Sequence, residues 1–220
     1  MMDFLTNARD FLPLLLKGAV VTLQVTALSF ILSSLLGLVL ALMKLSTWRI
    51  VSMPARVFIN VIRGLPVIVQ LFYIYFVMPD VGLHLSAFWA GVIGLGVAYS
   101  AYQAEIFRSG IIAVPQGQRE AAEALGMKPK MMMKRVILPQ AFKISLPAYG
   151  NTLVMMLKDS SLVSTITVAE MTLQGQLIAS STFQNMAVYT LVALLYLAMS
   201  LPLFYLINYI EKHLSWRRSA

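Results

Sequence analysis

Lys158 and Asp159 stand side by side in a run, Ile144 to Ile166, that otherwise carries no charge: ISLPAYGNTLVMMLKDSSLVSTI. An ion inside an apolar stretch is costly and usually faces a cavity or a partner. Neighbours on a helix point about 100° apart, so these two cannot share a face. Residues seven apart nearly align, which sets Asn151 with Lys158 and Thr152 with Asp159. Each stripe then carries a small polar group one stretch below a charge. Two readings fit. One is a polar solute site near the middle of a bilayer, where a ligand bearing both charges, such as an amino acid, would meet both signs. The other is a charge pair that marks the end of a shorter helix, with Ser160 to Glu170 returning as a half-buried turn. They are compatible, because irregular backbone at membrane depth can line a cavity.

Other polar residues are candidates for the same path or its gate. Gln103, Tyr99 and Tyr102 sit in the far half of an apolar run, and Glu170 follows the Lys158–Asp159 segment. Glu105 and Arg108 are three apart, the spacing of a boundary ion pair or of a gate. Arg63 lies beside Gly64, Leu65 and Pro66 and could snorkel to an interface. The two histidines, His84 and His213, are isolated, so no metal site and no catalytic group is expected.

The elements that must hold these residues are set by composition. The chain has 220 residues, 59% of them apolar and only 12% charged, with a mean hydropathy of +0.79. Soluble domains carry about 25% charge. There are no cysteines, which excludes disulfides and thiol chemistry. Windows near 20 residues long with almost no charge read as membrane spans. The N-terminal MMDFLTNARDF has mixed charge and is not expected to be a signal peptide.

Five spans are expected. The first covers Gly18 to Met43, preceded by residues 1–17 as an extracytoplasmic or interfacial segment with a partial apolar face at Phe4, Leu5, Phe11, Leu12 and Leu15. A basic loop, Lys44 to Arg56, leads to a second span, Val57 to Met78, kinked near Ile62 to Pro66 because Pro66 cannot donate to the carbonyl four residues back. The third runs from Ser86 to Phe107. The fourth begins near Ile144 with its end undefined. The fifth runs from Met186 to Ile210 and contains Pro202, leaving residues 211–220 as a tail. Residues 18–210 thus form one transmembrane domain.

Five crossings put the two termini on opposite sides. Of 17 basic residues, 14 then fall on one side; only Arg9, Lys17 and Lys158 do not. The positive-inside rule makes that side cytoplasmic, with the N-terminus outside and the C-terminus in the cytoplasm. The formal charge of +8 is explained by topology, and no nucleic-acid partner is needed.

One polar stretch interrupts the apolar pattern on the basic side, residues 110–139: GIIAVPQGQREAAEALGMKPKMMMKRVILP. Pro115 suits a first helical turn. Gln118 to Leu125 are strong helix formers. Gly126 is placed to end the helix, and Pro129 stops it continuing. A second short helix is expected over Lys130 to Val136. The first would lie across the membrane face, its small alanine surface open either to the headgroups or to another protein.

This stretch resembles the coupling loop of ATP-binding-cassette (ABC) importer permeases, whose signature is EAA, three residues, G, nine residues, I-x-LP. Here it reads Glu120, Ala121, Ala122, Glu123, Ala124, Leu125, Gly126, then Ile137, Leu138, Pro139, with ten residues between Gly126 and Ile137. Four further blocks resemble the polar amino acid branch: IRGLPVIVQLFYIYF from Ile62, AYSAYQAEIFRSGIIAVPQGQREAA from Ala98, ILPQA from Ile137 and LKDSSLVSTITVAE from Leu157. The resemblance covers Gly18 to Tyr209. It implies an all-α membrane protein, a type I importer bundle of five to six transmembrane helices with a cytoplasmic coupling helix. It implies that Glu120, Ala121, Ala122, Glu123 and Gly126 meet an ATPase, and it favours Asp159, and less strongly Glu170, as near the translocation path. The implied partners are two cytoplasmic ABC ATPase subunits, a second permease of the same or a related chain, an extracytoplasmic solute-binding protein and the bilayer of a bacterial inner membrane. ATP and magnesium belong to the ATPases; this chain has no G-x-x-x-x-G-K-[ST] loop. An ion-coupled transporter or channel, or a membrane scaffold that moves nothing, are the rival expectations.

Overall fold

In the computed structural model, residues 2–215 are described; their elements are all helical or turn, with no strand among them. Nine α-helices follow in order: α1 Met2–Leu45, α2 Arg49–Gly64, α3 Val67–Phe72, α4 Ala87–Ile112, α5 Gln116–Ala124, α6 Pro129–Met132, α7 Leu138–Asp159, α8 Met171–Thr182 and α9 Asn185–Ser215. Wider and tighter turns splice some of these together: a π-turn at Tyr73–Val77, another at Met133–Ile137, and 3-10 turns at Met78–Val81 and Ser160–Ile166.

α4 is the centre. Its residues Ala90, Leu95, Ala98, Ala101, Gln103 and Ala104 are wholly enclosed. It packs parallel to α1: the Ser29 hydroxyl donates to the Val92 carbonyl, Leu32 lies over Gly96, and Gly37 lies over Ser100 and Gln103. It packs antiparallel to α7, with Gly110 against Ser145, Gly91 against Val163 and Tyr99 against Asp159. Glycines at these crossings let backbones approach closely, as membrane helices require.

Two helices are long and apolar enough to cross a bilayer alone, Arg9–Leu45 and Asn185–His213. Two bent pairs can each supply another crossing: Arg49–Gly64 with Val67–Val81, at 106°, and Pro129–Ile166 with Met171–Thr182, at 53°. The third expected crossing, Ser86 to Phe107, falls on α4, which is not among these but has 26 residues or about 39 Å at 1.5 Å per residue. Its milder composition follows from its position, since a helix enclosed by others meets little lipid.

Several boundaries differ from expectation. No break separates residues 1–17 from the first span; α1 runs through Pro13, and Leu15 is fully buried with Phe11 packed beside it. The side chains of Phe4 and Leu5 lie outside the described residues, as do residues 216–220. The expected basic loop to Arg56 shrinks to Ser46–Trp48, because α2 starts at Arg49. The kink at Pro66 is a full break. Proline disfavours helical backbone at the residue before it, and Leu65 is extended (φ −106°, ψ 138°). Two carbonyls at the break are paired from beyond it: the Gln70 side-chain amide donates to Ile62 O at 2.9 Å and Leu65 O at 3.0 Å. The second short helix of the polar stretch is continuous with α7 through the Met133–Ile137 π-turn.

Candidate functional site

The two stripes read from the spacing on α7 separate as expected. Lys158 and Asn151 are exposed, whereas Thr152 is buried and Asp159 half-buried. The Thr152 hydroxyl donates to the Ala148 carbonyl one turn back. α7 stops at Asp159 because the chain tightens into the Ser160–Ile166 turn. Glu170 then caps α8 by accepting from the Leu173 N–H at 2.9 Å.

Asp159 accepts a 2.6 Å hydrogen bond from the Tyr99 hydroxyl. Tyr99 lies halfway along α4, so the carboxylate sits midway through the bundle. The Tyr99 and Tyr102 rings are 6.1 Å apart, and the Arg63 guanidinium carbon lies 5.5 Å from the centre of the Tyr102 ring. Arg63, Tyr102, Tyr99 and Asp159 thus form a row across α2, α4 and α7. A cation over an aromatic face is attracted by the ring quadrupole. Arg63 was expected near the boundary. It lies beside Tyr102, ten residues from the end of α4, about 15 Å at the helical rise. No ion pair joins Arg63 or Lys158 to a described residue. The row can therefore offer a carboxylate, two phenols and a guanidinium to a polar solute.

Gln103 is fully buried, and neither its amide nitrogen nor its oxygen has a partner among the described residues. A methyl placed on Gly37 would come within 3.0 Å of Gln103 Cβ, so α1 closes over this amide. Glu170 is also fully buried but well supplied. Besides Leu173, its carboxylate accepts from the Thr22 hydroxyl at 3.2 Å and the Tyr196 hydroxyl at 2.9 Å. It ties α1, α8 and α9 together. Nothing in the sequence around Glu170 signals those donors, which lie 148 and 26 residues away.

Glu105 and Arg108 do pair, Arg108 Nε donating to Glu105 Oε2 at 3.0 Å. Lys44, at the end of α1, takes the other carboxylate oxygen. Sequence reading missed Lys44. Its signal was weak: a lysine in the last turn of a span, 61 residues from its acid.

α5 lies at the same end of the bundle. Pro115 is its N-cap residue and Leu125 its C-cap. The Met127 N–H donates to Ala122 O at 3.1 Å and the Gly126 N–H to Glu123 O at 2.8 Å. That pattern is a Schellman motif, with Gly126 left-handed at φ +71°. Ala122 faces the bundle and is buried; Glu120, Ala121, Glu123 and Gly126 are exposed, and Leu125 is 81% exposed. Two bonds fasten α5 to the bundle. Arg119 donates to Ile111 O at 2.9 Å, at the end of α4, and the Gln140 amide of α7 donates to Gln118 Oε1 at 3.2 Å.

Residues 33–216 match the family described as the binding-protein-dependent transport system inner membrane component. The chain belongs to that family. The permease is 39% identical over 213 residues to a probable amino-acid ABC transporter permease of Sinorhizobium fredii, covering 97% of this chain and 92% of that one. It is 35% identical to the arginine transport system permease protein ArtQ of Bacillus subtilis, covering 92% and 93%. It is 36% identical to the glutamine transport system permease protein GlnP of Escherichia coli, covering 92% and 94%. Among solved structures, an amino acid ABC transporter determined with histidines matches at 42% identity with a TM-score of 0.91, covering 97% of the permease and 99% of that chain. The MetNI methionine transporter in an inward-facing state matches at 20% identity and a TM-score of 0.78, covering 91% and 96%. That likeness shows the type I importer fold. Five ordered sequence blocks had already pointed to it.

Proposed function

We propose that this permease forms half of the membrane path of an ABC importer and carries a polar amino acid or close analogue inward. The observation that carries the solute class is the row Arg63, Tyr102, Tyr99 and Asp159 beside the unpaired Lys158. An amino acid brings an ammonium and a carboxylate, and this surface offers a group to each. Burial of either charge without such a partner is expensive. The relatives named for arginine and glutamine support the same class. Asn151 extends the path along α7, with Lys158 and Asp159 at its middle, and the buried Thr152 and Gln103 lie behind it on α7 and α4. Glu170 serves the packing that fixes the end of α7. Arg63 stands at the interface with a second permease, and the Glu105–Arg108 pair, with Lys44, closes the gate on the basic side.

The energy source is a partner. Two ABC ATPase subunits, holding ATP and magnesium, seat on the exposed face of α5 formed by Glu120, Ala121, Glu123 and Gly126, with Ala122 fixing the helix from behind. An extracytoplasmic binding protein delivers the solute. The basic end of the bundle is cytoplasmic and the N-terminus is outside, in a bacterial inner membrane. When the ATPases close, α5 moves as a rigid handle, and its ties through Arg119 and Gln140 carry the motion to α4 and α7.

Reconstitution of the permease with its ATPase and binding protein in proteoliposomes tests this. Uptake of a polar amino acid is expected only with ATP and binding protein together. Uptake at the full rate without ATP overturns the mechanism.

A further inference from the structure

A second site lies on the side of α7 that faces away from Lys158. Ser34, Leu38, Phe107, Leu138, Phe142 and Tyr149 line a cavity of about 300 Å³ between α1, α4 and α7. Its walls are almost entirely apolar, and the Ser34 and Tyr149 hydroxyls close one end by bonding to each other at 2.8 Å. The other end opens at Leu138 and Ile111, where α4 finishes. Leu138, Phe142, Ser145 and Tyr149 recur at helical spacing on one face of α7. Asn151, Met155 and Lys158 occupy a different one, so this slot does not open onto the Lys158 stripe.

The open end is basic. One turn before Leu138, Lys134 and Arg135 are exposed, and Lys143 is exposed next to Phe142. None of the three pairs with an acid among the described residues. An apolar slot that ends in unpaired cations at the edge of the bundle has the two halves of a lipid: a tail channel and a headgroup counter-charge. Basic pockets between membrane helices on the cytoplasmic side bind anionic headgroups in this way. A zwitterionic lipid would leave the three cations without a net counter-charge.

We infer that this groove holds one anionic phospholipid per permease chain, its acyl chain along α7 between Tyr149 and Leu138 and its phosphate against Lys134, Arg135 and Lys143. The site braces α7 directly after the π-turn that joins it to α6. The inference is independent of the solute path and rests on the reading of the basic end as cytoplasmic only for the leaflet it assigns.

Native mass spectrometry of the complete transporter, released from nanodiscs containing equal phosphatidylglycerol and phosphatidylcholine, tests it. Wild type is expected to retain phosphatidylglycerol selectively. Each of Lys134→Gln, Arg135→Gln and Lys143→Gln should cut that preference by about fivefold. Leu35→Trp, a change at an exposed groove residue, should fill the slot and abolish retention in an assembled complex. Equal retention of both lipids by wild type overturns the inference, as does full phosphatidylglycerol retention by Leu35→Trp or by the triple glutamine variant.

Discussion

Tyr99 donates its hydroxyl to Asp159 Oδ2 at 2.6 Å, across 60 residues of sequence and from the midpoint of α4 to the last residue of α7. This bond fixes the carboxylate in direction as well as depth. It points Asp159 along the row that leads through Tyr102 to Arg63.

Tyr99→Phe removes the hydroxyl without changing the ring, and Asp159→Asn removes the charge. A hydrogen bond to a charged group is worth about 1.5–3 kcal/mol. Both variants are therefore expected to raise the KM for solute uptake about tenfold or more in proteoliposomes. Assembly with the ATPase, read by gel filtration, should stay normal. Unchanged solute kinetics in both would return Asp159 to a purely structural part.

Gly126→Pro cannot adopt the left-handed backbone that ends α5, since proline fixes φ near −65°, whereas Gly126 sits at +71°. Glu120→Arg reverses a charge on the exposed face of α5. Each is expected to leave membrane insertion intact while uptake falls below about a tenth of wild type and ATPase activity loses its response to solute. Fractionation, uptake and phosphate-release assays on the same preparation check all three.

Glu170→Ala should be the most damaging single change to stability. It removes the carboxylate shared by the Thr22 and Tyr196 hydroxyls and the Leu173 N–H; Thr22 keeps Gly18 O and Tyr196 keeps Thr172 Oγ1, while the Leu173 N–H loses its acceptor. Each such loss costs about 1–3 kcal/mol. Glu170→Gln keeps one acceptor oxygen and should lose less. Thermal unfolding in detergent, followed by fluorescence-detected chromatography, should rank wild type above Glu170→Gln and Glu170→Ala last.

Lys44 and Arg108 share one carboxylate, that of Glu105. Lys44→Glu sets two acids together and should weaken the join between α1 and α4. Adding Glu105→Lys restores opposite charges and should recover part of the loss. A coupling of about 0.5–3 kcal/mol is expected from the double-mutant cycle, measured by thermal or denaturant stability. Strict additivity would remove the pair from the account.

What was legible in the sequence was local. Pro115 and Gly126 bound α5 because their backbone preferences act on their own residues. The seven-residue spacing separated the Asn151–Lys158 stripe from the Thr152–Asp159 stripe for the same reason. The boundary placed before Gly18 failed on a long-range fact: a Cβ at Gly18 would lie 2.7 Å from Met171 Cα. That glycine serves a close crossing with α8 and does not interrupt α1. The stretch Arg49 to Arg56 reads as a basic loop because its charges are counted without their spacing. On α2 the residues Arg56, Asn60 and Arg63 fall on one exposed side, while Ser52, Ala55 and Ile59 are buried on another. The Thr22 and Tyr196 donors to Glu170 and the lysine on Glu105 are chain-distant, and no short window contains them.

The amide of Gln70 spans the corner between α2 and α3. A chain that turns by 106° within a bilayer would normally show bare carbonyls to hydrocarbon, a cost of several kcal/mol for each. Here Gln70, beyond the corner, reaches back and satisfies two of them. The corner is tied from within the chain, so α2 and α3 can behave as two levers on one pin, and α2 can tilt with the basic end while α3 stays seated against α4.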